Sequence, residues 1–247
     1  MSRGEVMHSP DDTPEPVIHC RGLKKSFGTG KARVPALNGL DLDVHAGELL
    51  MLVGPSGCGK TTFLSVLSSL MQADTGSCRV LGRDILAMPA AQQTGFRRDA
   101  LGFVFQAFNL IEALSAVENV AVPLRIAGTA RKIALQRAAA MLEDVGISRL
   151  HGLPGSMSGG QQQRIAIARA LVTMPSLILC DEPTSNLDHD NGQKVMALLR
   201  ARARAQGSTV VLVTHDARIF HYADRLVTME DGRLTGAPEN EGGSPLL

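Results

Sequence analysis

A surplus of charge of either sign is absent from this 247-residue chain: 25 Lys and Arg against 24 Asp and Glu leave +1 at pH 7. Proteins that bind nucleic acid usually carry a basic face, so a balance this close to neutral excludes nucleic acid as the expected partner. Cysteine is scarce. Cys20, Cys58, Cys78 and Cys180 are scattered without C-x-x-C spacing, which excludes a disulfide frame and a zinc site and leaves reduced thiols in a cytosolic compartment. No apolar run approaches the roughly 20 residues that span a bilayer. The polar N-terminus also lacks the basic and apolar regions of a signal peptide. The expectation is a soluble chain without direct membrane insertion, so that any membrane role comes through a partner.

What is there begins with Gly54-Pro55-Ser56-Gly57-Cys58-Gly59-Lys60-Thr61-Thr62, which fits G-x-x-x-x-G-K-[ST]. In such a loop the glycines let backbone N–H groups turn onto a phosphate while the lysine reaches the β- and γ-phosphates. The flanks suit it. Glu48 to Val53 reads as a short buried strand, and Thr61 to Met71 place Phe63, Val66, Leu67 and Leu70 at helical spacing. The loop therefore joins a strand to a helix N-terminus aimed at the anion.

Further along, Leu177 to Glu182 is an apolar run that delivers two adjacent carboxylates to its end. An unpaired buried carboxylate is costly in a core strand, but beside a phosphate site both acids have work: Asp181 can hold Mg²⁺ with the Thr61 hydroxyl, and Glu182 can orient and deprotonate a water. Thr209 to Thr214 is a second apolar strand, ending on His215-Asp216 at the same edge. Continuous apolar runs alternating with helices indicate an α/β fold with a parallel sheet covered on both faces. Three other residue sets carry two readings each. Gln106, after the strand Leu101 to Phe105, suits a ligand for a metal-bound water or a turn residue. Phe27 suits an adenine-stacking ring or an ordinary strand phenylalanine. Ser158-Gly159-Gly160-Gln161 opens a helix running to about Thr173, with Ser158 as a plain N-cap or as part of a second phosphate contact.

The remaining chain divides by composition. Residues 1–16, with Pro10, Pro14 and Pro16, and residues 236–247 read as tails, leaving 17–235 as the ordered unit. Two short strands, Val17 to Leu23 and Leu37 to Val44, precede the loop. Residues from about 107 to 165 form an inserted helical subdomain, with apolar positions Val117, Val120, Val122 and Leu124, then Ile133, Met141, Leu142 and Val145, and breaks at Pro123, Gly128 and Gly146. A helix from about Asn191 to Ala205 ends at Gly207, and Asp231-Gly232 reads as a hairpin turn.

Taken together these residues resemble the ATP-binding cassette family of ATPases over about 17–235. Gly54 to Thr62 is similar to its Walker A loop, Gln106 to its Q-loop, Ser158 to Gln161 to its signature, and Leu177 to Glu182 to its Walker B strand. Ser185-Asn186-Leu187-Asp188 is similar to its D-loop and His215 to its switch histidine. Met157 stands where the signature usually has leucine, and Phe27 where tyrosine is commoner. The resemblance implies a P-loop NTPase core with an N-terminal antiparallel β subdomain. It implies ATP and Mg²⁺ as ligands, with Phe27, Gly54 to Thr62, Ser158 to Gln161 and Asp188 contacting nucleotide. Thr61, Gln106 and Asp181 would complete the magnesium shell, and Lys60, Gln106, Glu182 and His215 would carry catalysis.

It also implies a head-to-tail dimer in which Ser158 and Gly160 of one copy cover ATP held by the other. Gln161-Gln162-Gln163-Arg164 and Glu118-Asn119-Val120-Ala121-Val122-Pro123-Leu124 look like the lipoprotein-release and macrolide-export branch. Division-associated and peptide-detoxification cassettes are close to that branch. Its members work with a permease, expected here as a separate polypeptide that docks near the segment after Gln106 and holds the cassette on the inner face of the cytoplasmic membrane. A soluble cassette of DNA repair or translation is the alternative. Those carry a long heptad insertion or two cassettes in one chain, and neither feature is seen.

Overall fold

The computed structural model describes residues 15–235, so the expected tails lie outside the described residues apart from Glu15 and Pro16. Two sheets share the chain. The smaller is antiparallel throughout, built from β1 (Ile18–Phe27), β2 (Val34–Val44), β4 (Thr75–Val80) and the short β5 (Arg83–Asp84) in the order β2-β1-β4-β5. The larger contains β3 (Leu49–Val53), β6 (Leu101–Val104), β7 (Leu177–Asp181), β8 (Thr209–Thr214), β9 (Arg225–Glu230) and β10 (Arg233–Thr235), in the order β10-β9-β3-β8-β7-β6. All its pairings are parallel except the β9–β10 hairpin. Asp231 and Gly232 turn that hairpin with φ of 46° and 74°, the left-handed pair that a two-residue turn demands.

The apolar strands are buried on both faces, and their alternation sorts them between two cores. Leu50 and Leu52 of β3 pack with Phe63 and Leu64 of α1 (Lys60–Leu67) and with the antiparallel sheet. Leu49 and Met51 face the other way, toward α5 (Gly159–Leu171) and α6 (His189–Gln206). A third core joins α3 (Ala116–Ile126) and α4 (Arg131–Asp144) to α5 through Val120, Leu124, Ala138, Leu142, Ile165 and Ala168. The last helix, α2 (Ala90–Ala100), leads directly into β6.

Three expectations fail locally. The helix after the phosphate loop ends at Leu67 rather than Met71: Ser69 has a φ of 53°, and Leu70 turns outward to 59% exposure. Pro123 lies inside α3 and does not break it, because the packed face of Val117, Val120, Ala121 and Leu124 outweighs one missing N–H donor. In α4 the buried stripe is Ala134, Ala138 and Leu142, so that Ile133 faces solvent. Small side chains let α4 approach its neighbours closely, a preference that a search for large apolar residues misses.

Candidate nucleotide site

Register decides where the site lies. Val53 of β3 pairs with Thr214 of β8, and Asp181 of β7 pairs with Val213, so the three strands finish level. The loops leaving them start at Gly54, Glu182 and His215, and all emerge at the carboxyl edge of the parallel sheet, where open α/β folds bind ligands.

The first of these loops is tight enough to require its glycines. Gly54 and Gly59 have φ of 155° and 108°, and a Cβ on either would collide with a backbone carbonyl oxygen, that of Met229 or Ala36. The turn delivers Lys60 to the start of α1. Its buried Nζ donates to the carbonyls of Gly54, at 2.7 Å, and Pro55, at 2.8 Å, so the ammonium is held over the mouth of its own loop. Cys58 sits behind it, Sγ 3.8 Å from that Nζ.

Thr61 Oγ1 donates to Asp181 Oδ1 at 3.1 Å, across the gap between α1 and β7. Burial pushes the Asp181 carboxyl up from the ordinary range, the Thr61 hydrogen bond opposes this, and the neighbouring Glu182 charge adds to it. Two hard oxygen donors, a hydroxyl and a carboxylate, are the chemistry that suits Mg²⁺. A cleft of about 380 Å³ opens beside them, lined by the phosphate loop, Phe27 with residues 34–36, and Gln106, Glu182 and His215. Phe27, at the end of β1, is 45% exposed, its ring free to receive a planar ligand.

Glu182 is held from four sides. Its backbone is left-handed, φ 47°, a costly conformation for a residue with a side chain. Its N–H donates to Val213 O at 3.0 Å, and its own carbonyl accepts from Ser185 Oγ at 3.0 Å. One carboxylate oxygen lies 2.7 Å from His215 Nδ1, the other 3.2 Å from Thr214 Oγ1. The carboxylate is buried, while the His215 side chain is 57% exposed at the cleft.

Not every expected residue reaches this cleft. Ser158 caps α5, its Oγ accepting from Gln161 N at 3.3 Å while Gln161 Oε1 accepts from Ser158 N at 2.9 Å. Gly160 is buried, and a Cβ there would lie 3.0 Å from the Asn191 Oδ1 of α6, so a larger residue would require that side chain to shift. Asp188 caps α6 by accepting from Asn191 N at 2.9 Å. Ser158 to Gln161 and Asp188 are thus separate from the cleft of their own chain. Met157 fills its leucine place in the third core, 8% exposed.

Several contacts that shape the site carried no signal in the sequence. Arg169 of α5 donates to the carbonyls of Phe108 and Asn109, at 2.7 and 2.5 Å, and Asn186 Nδ2 donates to Gln106 O at 2.8 Å, so the loop after β6 is held from two directions. Gln163 Nε2 donates to Pro183 O at 2.6 Å, tying α5 to the residue after Glu182. These contacts join residues up to 80 apart in sequence, and no local pattern announces them.

Comparison with known proteins agrees with this geometry. The ABC transporter family profile matches residues 37–185. The lipoprotein-releasing system ATP-binding protein LolD 2 of Caulobacter vibrioides is 43% identical over 221 residues, 89% of this chain and 97% of that one. The macrolide export ATP-binding/permease protein MacB 1 of Aeromonas hydrophila is 42% identical over 232 residues, 94% of this chain but 36% of that protein. Among solved structures, the dimeric post-hydrolysis state of the ATP-binding cassette MJ0796, bound to ADP and Pi, superposes with a TM-score of 0.84 at 34% identity, covering 92% of this chain and 100% of that one. The chain belongs to the ABC transporter family, as an ATP-binding cassette with a P-loop ATPase fold.

Proposed function

We propose that this chain, through residues 17–235 with a helical subdomain at about 107–165, hydrolyses ATP between two copies of itself and thereby drives a separate membrane permease of the lipoprotein-release or macrolide-export type. The reading rests on one juxtaposition: Lys60, Thr61 and the Glu182–His215 pair all line a single cleft, with Asp181 joined to it through the Thr61 hydroxyl. Lys60 and the loop N–H groups receive the phosphates, and Phe27 receives the adenine face. Glu182 takes the proton of the attacking water, and His215, 2.7 Å away, orients that carboxylate at the γ-phosphate position. Thr61, Asp181 and Gln106 would hold Mg²⁺, which when bound neutralises phosphate charge.

The second copy explains the residues left outside the cleft. Ser158 is exposed at the N-terminus of α5, where the helix dipole favours an anion, and the first turn of that helix carries no acidic residue. A partner's nucleotide would meet it there, with Asp188 at the same junction. The dimeric state of the MJ0796 structures supports this arrangement. For the permease, an apolar groove of about 270 Å³ lies beside the loop after Gln106, lined by Phe103, Phe105, Pro123 and Ile126 together with Arg98 and Arg169. Among the described residues no helix is long and apolar enough to cross a membrane, so attachment to the inner face of the cytoplasmic membrane would run through this groove.

Glu182→Gln tests the chemistry. Removing a positioned general base costs about 10² to 10⁴ in rate. The variant is expected to bind ATP, to lose hydrolysis by that factor, and to accumulate as a nucleotide-bound dimer on gel filtration. Turnover within twofold of the parent overturns the assignment.

A further inference from the structure

We propose that Thr214 is a positioning residue for hydrolysis, a hydroxyl that fixes the carboxylate of Glu182 in the attitude of a general base; the inference rests on that role for Glu182. Thr214 is the last residue of β8 and fully buried. Its Oγ1 lies 3.2 Å from Glu182 Oε2 and 3.0 Å from the backbone nitrogen of Asp216. An N–H can only donate, and a hydroxyl has one proton to give. Thr214 therefore accepts from Asp216 and donates to Glu182, and the direction of the pair is set by the chemistry of its two ends.

The consequence is geometric. His215 engages Oε1 from the solvent side of the cleft, and because its side chain is largely exposed it has room to move as ligand enters. Thr214 engages Oε2 from the sheet, on a strand buried along its whole length, and cannot follow. One oxygen is anchored to the core while the other stays available at the cleft. Asp216 steadies the anchor in turn, its carboxylate accepting from Thr184 Oγ1 at 3.1 Å and from the Arg218 guanidinium at 2.7 Å. Satisfying the Asp216 N–H alone would need only an acceptor at position 214. The donated proton is what the carboxylate requires.

Thr214→Val keeps the shape and removes the hydroxyl, while Thr214→Ser keeps the hydroxyl. Steady-state hydrolysis of Mg-ATP by the full chain is expected to show kcat lowered about tenfold in Thr214→Val with KM within about twofold, since misplacing a catalytic group costs rate rather than binding. Thr214→Ser is expected to restore kcat to within about threefold. Adding Thr214→Val to Glu182→Gln is expected to cause no further loss, because an anchor has nothing left to position. If the valine variant does not fold, Thr214→Ala takes its place with the same expectations. A kcat within twofold of the parent in the hydroxyl-less variant overturns the proposal, as does an equal loss in Thr214→Ser. Unimpaired turnover by Glu182→Gln alone would instead strike the reading of the base, so the two failures are distinguishable.

Discussion

Arg169→Met isolates the contact that shapes the loop after Gln106. Phe108 and Asn109 are consecutive non-glycine residues in the left-handed region, φ 55° and 49°, each an unfavourable choice for the free chain. The Arg169 fork accounts for their persistence by donating to both carbonyls. Burial lowers the Arg169 guanidinium from its ordinary value, since carbonyl dipoles rather than a carboxylate answer its charge. A hydrogen bond from a charged group contributes about 1.5 to 3 kcal/mol. The Asn109 bond lies at the solvent edge and counts for less, and methionine keeps the stem packed. The expected loss is then about 2 kcal/mol, which for a chain of this size lowers Tm by about 4 to 8 °C. Urea denaturation of the nucleotide-free protein measures it directly. Arg169→Lys, one ammonium in place of a fork, should recover less than half. A stability within about 0.5 kcal/mol of the parent refutes the reasoning, because the loop would then hold its conformation unaided.

Gly59→Ala should abolish nucleotide binding in a fluorescent-analogue titration and destabilise the fold by about 2 to 4 kcal/mol, since the added Cβ meets the Ala36 carbonyl and the backbone is left-handed. Asp43→Asn should be less stable than the parent at pH 7, with the gap closing below about pH 4. Hydrogen bonding to Arg21, then to His19, holds the Asp43 carboxyl below its usual range, so its contribution is present above that range and is lost as pH falls through the depressed value. Urea midpoints of both proteins against pH check the sign. Cys20, Cys78 and Cys180 should resist a thiol reagent in the native protein and react once it is unfolded. The hydrogen bond between Cys20 and Cys78, then burial, pushes the Cys20 thiol up, and burial does the same to Cys180. Rapid native labelling of any of the three would contradict their burial.

The sequence by itself determined the parallel sheet, the phosphate loop and the carboxylates at its edge. Each is encoded within a few residues: β8 matches its expected span, Thr209 to Thr214, because an apolar run bounded by Gly207 and His215 has one way to be buried, and Gly54 to Thr62 specifies its turn by glycines alone. Local pattern was weaker wherever partners are small or distant. The alanine stripe of α4, Pro123 inside α3 and the early end of α1 depend on what packs against each helix, which no window along the chain contains. The tertiary structure alone decided how Glu182 is held. Thr214 and His215 follow it by more than 30 residues and reach its two oxygens only because β7 and β8 lie side by side and end level. A motif names the groups that can do chemistry, whereas the register of neighbouring strands sets the distances between them.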